Sequence, residues 1–391
     1  MKSSKQTICL SMIVKNEAHV IGRCLDSVRP IIDHWIIVDT GSTDGTQDAI
    51  RTAMADIPGC LVERPWVDFA HNRSEALRLA RPHADYSLII DADDELVVPA
   101  GFILPKLDAP SYTFTILDRF TRYPRTQLVH NAYPWRYRGV VHEFLDCPKP
   151  TWQGSLPLAM RRGEDGARHC DGDETYRRDA ILLEKALKSE KDPFLIARYT
   201  FYLAQSYRDI GEFENSLRYY MKRAELGFWD EEVYISLLSA AYIMEFLGKS
   251  TAAVLAVYDR AIATRPSRAE ARHGASRFCR RKQQFVDAFH YAQAGMPPRM
   301  NASDLFVQPW IYQYGLQDEY AVSAFNTGQT RPCLSTCLDM LTTGDLPADV
   351  RARIARLAGE ALGKMVDPIW GFAKSSYDTH FMPHWQFRTS L

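Results

Sequence analysis

Between residues 87 and 96 the chain reads SLIIDADDEL, an apolar run that ends in Asp91, Asp93, Asp94 and Glu95. If Leu88, Ile89 and Ile90 lie in a buried strand, Asp91 stands at its carboxyl end. In extended chain Asp91 and Asp93 then share one face, because side chains alternate with period two. Two carboxylates a few ångströms apart repel by roughly 4 kcal/mol at an effective dielectric near ~20. A shared proton, a solvated turn with N-capping aspartates or a divalent cation can each offset that cost. Directly after a buried strand the cation is the best fit, since hard cations take oxygen ligands and bridge to phosphate.

Three further groups fall where the same sheet would end. Asp39 closes HWIIVD and can accept hydrogen bonds from a ribose or a base; the alternative is a helix cap, a role that Asp44 fills better. The loop after the first strand, MIVKNE, offers Ile13, Val14 and Glu17 to a nucleotide, while Lys15 and Glu17 equally suit a solvated surface. Arg73, in DFAHNRSEAL, lies near a helix start, where the dipole favours anions and a guanidinium can grip a phosphate bidentately. Its plain alternative is a surface salt bridge. The segment RRGEDGARH sets Arg161, Arg162, Asp165 and Arg168 around Gly163 and Gly166, which suits a lid over a diphosphate or an ordinary basic linker. Trp66, Trp135 and Trp152 lie in loop-like stretches and suit stacking on a sugar or simple packing.

The elements that must position these groups alternate. Strand patterns at 7–14, 34–39, 60–65 and 86–91 are separated by helical patterns at 19–31, 46–57 and 69–84. This order predicts a mostly parallel sheet with helices on both faces and ligands at the carboxyl ends of its strands. SYTFTILDRF (111–120) alternates as an antiparallel or edge strand, TQLVHN (126–131) is a second candidate, and 134–170 reads as aromatic-rich, basic loop. From Tyr176 the chain turns helical. Residues 202–226 place Ala204, Tyr207, Gly211, Ser216, Tyr220 and Ala224 as a tetratricopeptide repeat does, and a looser copy carries Tyr242, Gly248, Tyr258, Ala261 and Pro266. A third, poorer copy covers 269–296. Tyr207 and Tyr242 are 35 residues apart, near the repeat length of such arrays.

The totals exclude several classes. With 391 residues, 46% hydrophobic and net charge −1, broad electrostatic binding to nucleic acid is not expected. No apolar run reaches about 18 residues, so no transmembrane helix is expected. The short apolar stretch at the start runs at once into Lys15, Asn16 and Glu17, which reads as a strand rather than a signal peptide. The eight cysteines show no CxxC or Cys/His metal spacing, which fits reduced thiols in a cytoplasmic protein.

SMIVKNE, IIVDTGSTDGT, DFAHNRSEAL and IIDADDE, in this order and spacing, resemble the nucleotide-sugar domain of family 2 glycosyltransferases, the GT-A fold, over about residues 6–170. With repeats following, the layout resembles the peptide S-glycosyltransferases of the glycocin type. The resemblance implies a Rossmann-like α/β GT-A catalytic domain at 1–170, all-α TPR-like repeats at 171–300 and a helical or irregular extension at 301–391. It implies a nucleotide-sugar donor, by family default a UDP-hexose, with Mn²⁺ or Mg²⁺ and inversion at the anomeric carbon. By carry-over Asp39 binds the nucleoside, Arg73 lies near the diphosphate, and Asp91 and Asp93 form the metal-binding pair; Arg168 joins the diphosphate contacts on the reading of RRGEDGARH as a lid. Family members also carry a His–Glu pair, here His142 and Glu143 in GVVHEFL. His142 is a candidate metal or phosphate contact, and Glu143, Asp94, Glu95 and Asp165 are candidates for the base that takes the acceptor proton. If VVHEF is a strand, His142 and Glu143 point to opposite faces and at most one reaches the site.

The repeats suit a peptide or protein acceptor, because stacked helix pairs make concave surfaces, and equally suit a homodimer. Two other classes compete: a silent sugar-nucleotide domain serving as scaffold, and a nucleotidyltransferase, which would want a glycine-rich basic loop where SMIVKNE stands. A glycoside hydrolase needs two carboxylates flanking a sugar, not a cluster at a strand end.

Overall fold

A computed structural model describes residues 6–119, 121–149, 152–166, 173–301, 304–343 and 345–365. The chain divides into two compact units, Met1–Glu212 and Phe213–Leu391.

The first unit is built on strands β1 (Ile8–Val14), β2 (His34–Asp39), β3 (Gly59–Glu63), β4 (Tyr86–Ile89), β5 (Glu95–Val97), β6 (Ser111–Asp118), β7 (Thr121–His130), β8 (Arg136–Arg138), β9 (Phe144–Asp146) and β10 (Gln153–Arg161). Helices α1 (Ile21–Val28), α2 (Thr46–Ala53) and α3 (Phe69–Ala80) alternate with the early strands, and α4 (Asp173–Ser189) and α5 (Pro193–Asp209) follow β10. The main sheet runs β3-β2-β1-β4-β7-β6-β10-β5, and β8 pairs with β9 as a separate ribbon. β3, β2, β1 and β4 are mutually parallel, as the alternation predicts. β1 and β4 are covered on both faces, so they read as near-continuous apolar runs, interrupted only by Ser11 and Ser87, rather than alternating ones. Ile8, Leu10, Met12 and Val14 bury one face of β1 against Ile21, Cys24, Leu25 and Val28 of α1, while Cys9 turns to the other face with Ile36 and Ala80.

The structure departs from the sequence reading in three places. The segment read as loop holds β10, a nine-residue strand inserted between β6 and β5. Its alternating Leu156, Leu158 and Met160 are buried, but Pro157 interrupts the pattern and hides it. The proline is accommodated because the β10–β6 register shifts between Ser155 and Ala159, where its missing N–H costs least. Consequently β6 is an interior strand, not an edge, although its pairing with β7 is antiparallel as expected. Finally, VVHEF is not a strand. Val141 and His142 form the bend between β8 and β9, and His142 takes a left-handed φ of 52°.

The second unit contains, among its described residues, helices α6 (Phe213–Glu225), α7 (Asp230–Phe246), α8 (Thr251–Thr264), α9 (Glu270–Arg281), α10 (Phe285–Gln293), α11 (Leu316–Asn326), α12 (Thr330–Thr343) and α13 (Ala348–Met365). α7 packs on α8, α9 on α10 and α11 on α12. The three turns are alike: Gly248, Gln283 and Gly328 all lie at φ near +60° to +77°. In each, the next residue's N–H reaches back five positions, Lys249 to Met244, Gln284 to Cys279 and Gln329 to Ala324. This is the left-handed helix stop that glycine favours. The tail 367–391 lies outside the described residues.

Candidate functional site

A cavity of about 590 Å³ opens in the first unit at the carboxyl ends of β1, β2 and β4. Ile13, Val14, Lys15, Asn16 and Glu17 line it from the loop after β1, and Thr40 from the end of β2. Trp66, Phe69 and Arg73 come from the entry to α3, and Asp91, Ala92, Asp93 and Asp94 from the turn after β4. Arg162 and Gly166 follow β10, and Thr175, Arg178, Asp179 and Leu182 come from α4.

The first two motifs lock into each other. Asn16, at φ 57°, donates its N–H to Ser42 Oγ (2.9 Å) and accepts from Thr43 N through Oδ1 (2.9 Å). Glu17 N donates to Thr46 Oγ1 (2.8 Å), and Ala18 N to Asp44 Oδ2 (3.0 Å). Asp44 also accepts from Thr46 N (3.0 Å), although the N-cap residue of α2 is Gly45. Asp39 is the centre of this loop. Its carboxylate, 1% exposed, accepts from Gly41 N (3.1 Å), Ser42 N (3.1 Å) and Gln47 Nε2 (3.1 Å). Asp39 thus holds the loop from behind and is not among the residues lining the cavity, where Thr40 stands instead.

DFAHNRSEAL is a helix start whose polar residues have separate tasks. Asp68 caps α3 by accepting from His71 N (2.7 Å). Arg73, one turn in, carries Asp91 and Glu143 on the two sides of its guanidinium: Nη2 to Asp91 Oδ1 at 2.5 Å, and Nε to Glu143 Oε1 at 2.8 Å. Burial would raise the Asp91 pKa, but Arg73, then Arg125, hold it below the usual carboxylate range.

β4 ends at Ile89, and the chain turns at Ala92–Asp93, with Asp94 N donating to Asp91 O (3.1 Å). The extended geometry expected for the acidic run therefore stops at Asp91, yet Asp91, Asp93 and Asp94 all reach the cavity. Asp94 is 2% exposed; its Oδ1 accepts from Gly163 N (3.1 Å) and Oδ2 lies 3.3 Å from Arg125 Nη2. Burial, reinforced by Asp91, pushes its pKa up to about 6. Gly163 and Gly166 press on Asp93. A Cβ on Gly163 would stand 2.1 Å from Asp93 O, and one on Gly166 would stand 2.6 Å from Asp93 Oδ2. The glycines of RRGEDGARH are thus required by a close approach to the acidic turn.

The remaining expected residues are placed differently. Asp165 is drawn away to α1, where Arg23 takes both its oxygens at 2.9 and 3.0 Å, and these hydrogen bonds hold its pKa low. It lines a neighbouring cavity of about 470 Å³ with Arg23, Glu95 and Arg161. His142 stacks on Tyr202 of α5, ring centroids 3.9 Å apart, and its carbonyl accepts from Arg198 (2.9 Å). Neither His142 nor Glu143 lines the cavity; Glu143 acts on it through Arg73. Arg168 lies outside the described residues. Trp66 lines the cavity, whereas Trp135 is buried packing and Trp152 is exposed elsewhere. The cavity residues of α4, and Asn72 behind Trp66, carry no signal in the sequence reading: a polar residue on a helix looks like solvated surface until the fold is known.

Among the described residues no three His, Cys, Asp or Glu side chains converge as a ready-made metal cage. No described helix is long and apolar enough to cross a membrane.

Comparison with known proteins gives consistent results. Residues 9–138 match the family model described as Glycosyl transferase family 2. An uncharacterized glycosyltransferase of Rickettsia felis is 38% identical over 234 residues, 57% of this chain and 77% of that protein. A TPR repeat-containing protein of Synechococcus elongatus is 35% identical over 148 residues, 36% of this chain and 35% of the relative. The SPbeta prophage-derived glycosyltransferase SunS of Bacillus subtilis is 33% identical over 94 residues, 24% of this chain and 21% of that protein. The chain thus spans about a third of the length of the Synechococcus relative, a fifth of SunS and three quarters of the Rickettsia one.

Proposed function

The chain belongs to glycosyl transferase family 2, and from that premise we propose that it transfers a sugar, with inversion, from a nucleoside diphosphate donor bound in the cavity above β1, β2 and β4. The observation that carries this reading is the mixed charge of one cavity. Asp91, Asp93 and Asp94 meet Arg73, Arg162 and Arg178 there, at the strand ends where such sheets bind nucleotides.

The donor set fits a divalent cation. Mg²⁺ and Mn²⁺ are commonly held by one or two carboxylates with the rest of their shell from phosphate and water, so no three-ligand cage is required. Asp93, cradled by Gly163 and Gly166, is the carboxylate best placed to hold the ion, with Asp91 beside it. When bound, the ion would supply charge neutralisation for the departing diphosphate. The protein's own groups have complementary tasks. Arg73 fixes Asp91 and keeps it ionised; Glu143 holds Arg73 from the other side, with the β8–β9 bend stacked on α5. Arg162 and Arg178 offer positive charge to the phosphates. Of the four carboxylates considered as base, Asp94 is the one that lines the cavity, and it is the candidate to take the acceptor proton.

A UDP-hexose is the donor to try first, and a peptide or protein the first acceptor class, with the helical second unit as the candidate surface for that acceptor or for a second copy. The test is an assay of sugar transfer and donor hydrolysis over a panel of UDP- and GDP-sugars with Mn²⁺, comparing wild type with Asp93→Asn. The variant should lose at least about 100-fold in rate, as expected for loss of a transition-state electrostatic contact, with unchanged circular dichroism. Full activity of Asp93→Asn would exclude the acidic turn as the reaction centre.

A further inference from the structure

Trp66 is 41% exposed, lines the cavity, and is held far more firmly than a surface ring needs to be. Asn72 is fully buried and spends its amide on the main chain either side of the tryptophan. Its Oδ1 accepts from Val67 N (3.0 Å), and its Nδ2 donates to Pro65 O (3.1 Å). One residue earlier, Arg64 N donates to Asp39 O (2.9 Å), tying the loop to the end of β2. The indole itself meets the edge of Phe69 at 4.7 Å and 82°. A large aromatic left open to water while its backbone is clamped by a buried amide is a preorganised binding surface, since ordering has been completed before the ligand arrives.

Position selects the ligand part. Trp66 follows β3 and the acidic turn follows β4, three strand spacings away in the order β3-β2-β1-β4, about 14 Å at about 4.8 Å per strand. Between them lie Thr40, Ile13 and Val14. With the diphosphate at Arg73 and Asp93, the nucleoside extends to one side and the transferred sugar to the other. On the Trp66 side the lining carries the paired aromatic rings of Trp66 and Phe69, whereas Arg162 and Asp94 bring charge to the other. We propose that Trp66 is the platform on which the base of the donor nucleotide stacks, and that Asn72 is the residue that positions it. The proposal rests on the donor reading above.

The test measures equilibrium binding of UDP, UDP-glucose and inorganic pyrophosphate, each with Mg²⁺, to wild type, Trp66→Leu and Trp66→Phe. Stacking on an aromatic ring predicts that Trp66→Leu loses roughly ten-fold in affinity for UDP and UDP-glucose alike, while Trp66→Phe stays within roughly three-fold. Pyrophosphate should bind all three proteins equally, and in turnover Trp66→Leu should raise the donor KM with kcat unchanged. Wild-type affinity of Trp66→Leu for UDP would overturn the proposal. So would a loss confined to UDP-glucose, which would mark a sugar platform, or an equal loss for pyrophosphate, which would mark a collapsed loop. Failure of the wild type to bind UDP, GDP, ADP or CDP at all would instead overturn the donor reading itself.

Discussion

Both units hold an arginine between two carboxylates, and the two clusters are opposite in kind. In the second unit Arg268 has a side chain closed to solvent; it meets Glu231 at 2.6 Å and Glu270 at 2.9 Å, and it lies 4.4 Å from the Tyr234 ring centre. Glu270 accepts further bonds from Tyr312 (2.8 Å) and Tyr234 (3.2 Å), and Arg268 donates to Leu305 O (2.8 Å). Burial would raise the Glu270 pKa, but Arg268, helped by Tyr312, holds it below the usual carboxylate range. In the first unit Arg73 also bridges two carboxylates, but Asp91 keeps 35% of its side chain exposed and faces a cavity. A closed cluster fixes helices and the 304–308 segment; an open one leaves charge for a ligand.

The contrast gives graded expectations. Arg268→Ala takes the cation from buried Glu270 and leaves Glu231 paired with Arg265 alone (2.8 Å), and should destabilise the second unit by about 3–5 kcal/mol in denaturant unfolding; a loss under about 1 kcal/mol would erase the distinction. His273 extends the closed chemistry. It is 4% exposed, and burial first, then Arg277 and Arg280, press its pKa down to about 4 against a smaller opposing pull from Glu270. The unfolded chain takes up the proton near pH ~6.5, the folded one only near 4, so stability is complete above ~6.5 and falls as pH drops through that window, by about 3 kcal/mol. His273→Gln should flatten the unfolding free energy between pH 7 and 4, and an unchanged slope would assign the acid sensitivity elsewhere.

Arg73→Met tests the open cluster. Asp91 can rehydrate although Glu143 is less open to water, so the unfolding free energy should move by about 1–2 kcal/mol, less than for Arg268→Ala, while sugar transfer falls roughly 100-fold through lost positioning. Equal losses of stability and rate would make Arg73 a structural residue like Arg268. The smallest effect concerns the repeat turns. Gln283 adopts the φ of 60° that Gly248 and Gly328 adopt without a Cβ. Gln283→Gly should raise stability by about 0.5–1 kcal/mol, read as a shift in denaturant midpoint.

These same residues explain what the sequence disclosed. β2 was legible to its ends, because HWIIVD is a buried strand bounded by turn residues. The second repeat was legible through Gly248, and the third was faint because Gln283 replaces glycine at the equivalent turn. β10 was obscured by Pro157, whose tolerance depends on a register shift that only pairing reveals. The acidic turn and Arg73 were legible because strand ends and helix starts announce themselves locally. Glu143 holding Arg73, Asp165 captured by Arg23 and the α4 wall of the cavity join segments tens of residues apart, which no local pattern encodes.

In the proposed reaction the acidic turn beside the open cluster binds a nucleotide through Asp93 and a divalent ion. Calorimetric titration of UDP and GDP into wild type and Asp93→Asn, with and without Mn²⁺, tests it most directly. The wild type should bind one nucleotide saturably, in a manner that requires Mn²⁺ and is lost in Asp93→Asn. Binding that is indifferent to both the ion and Asp93, or no binding by folded wild type, would contradict it.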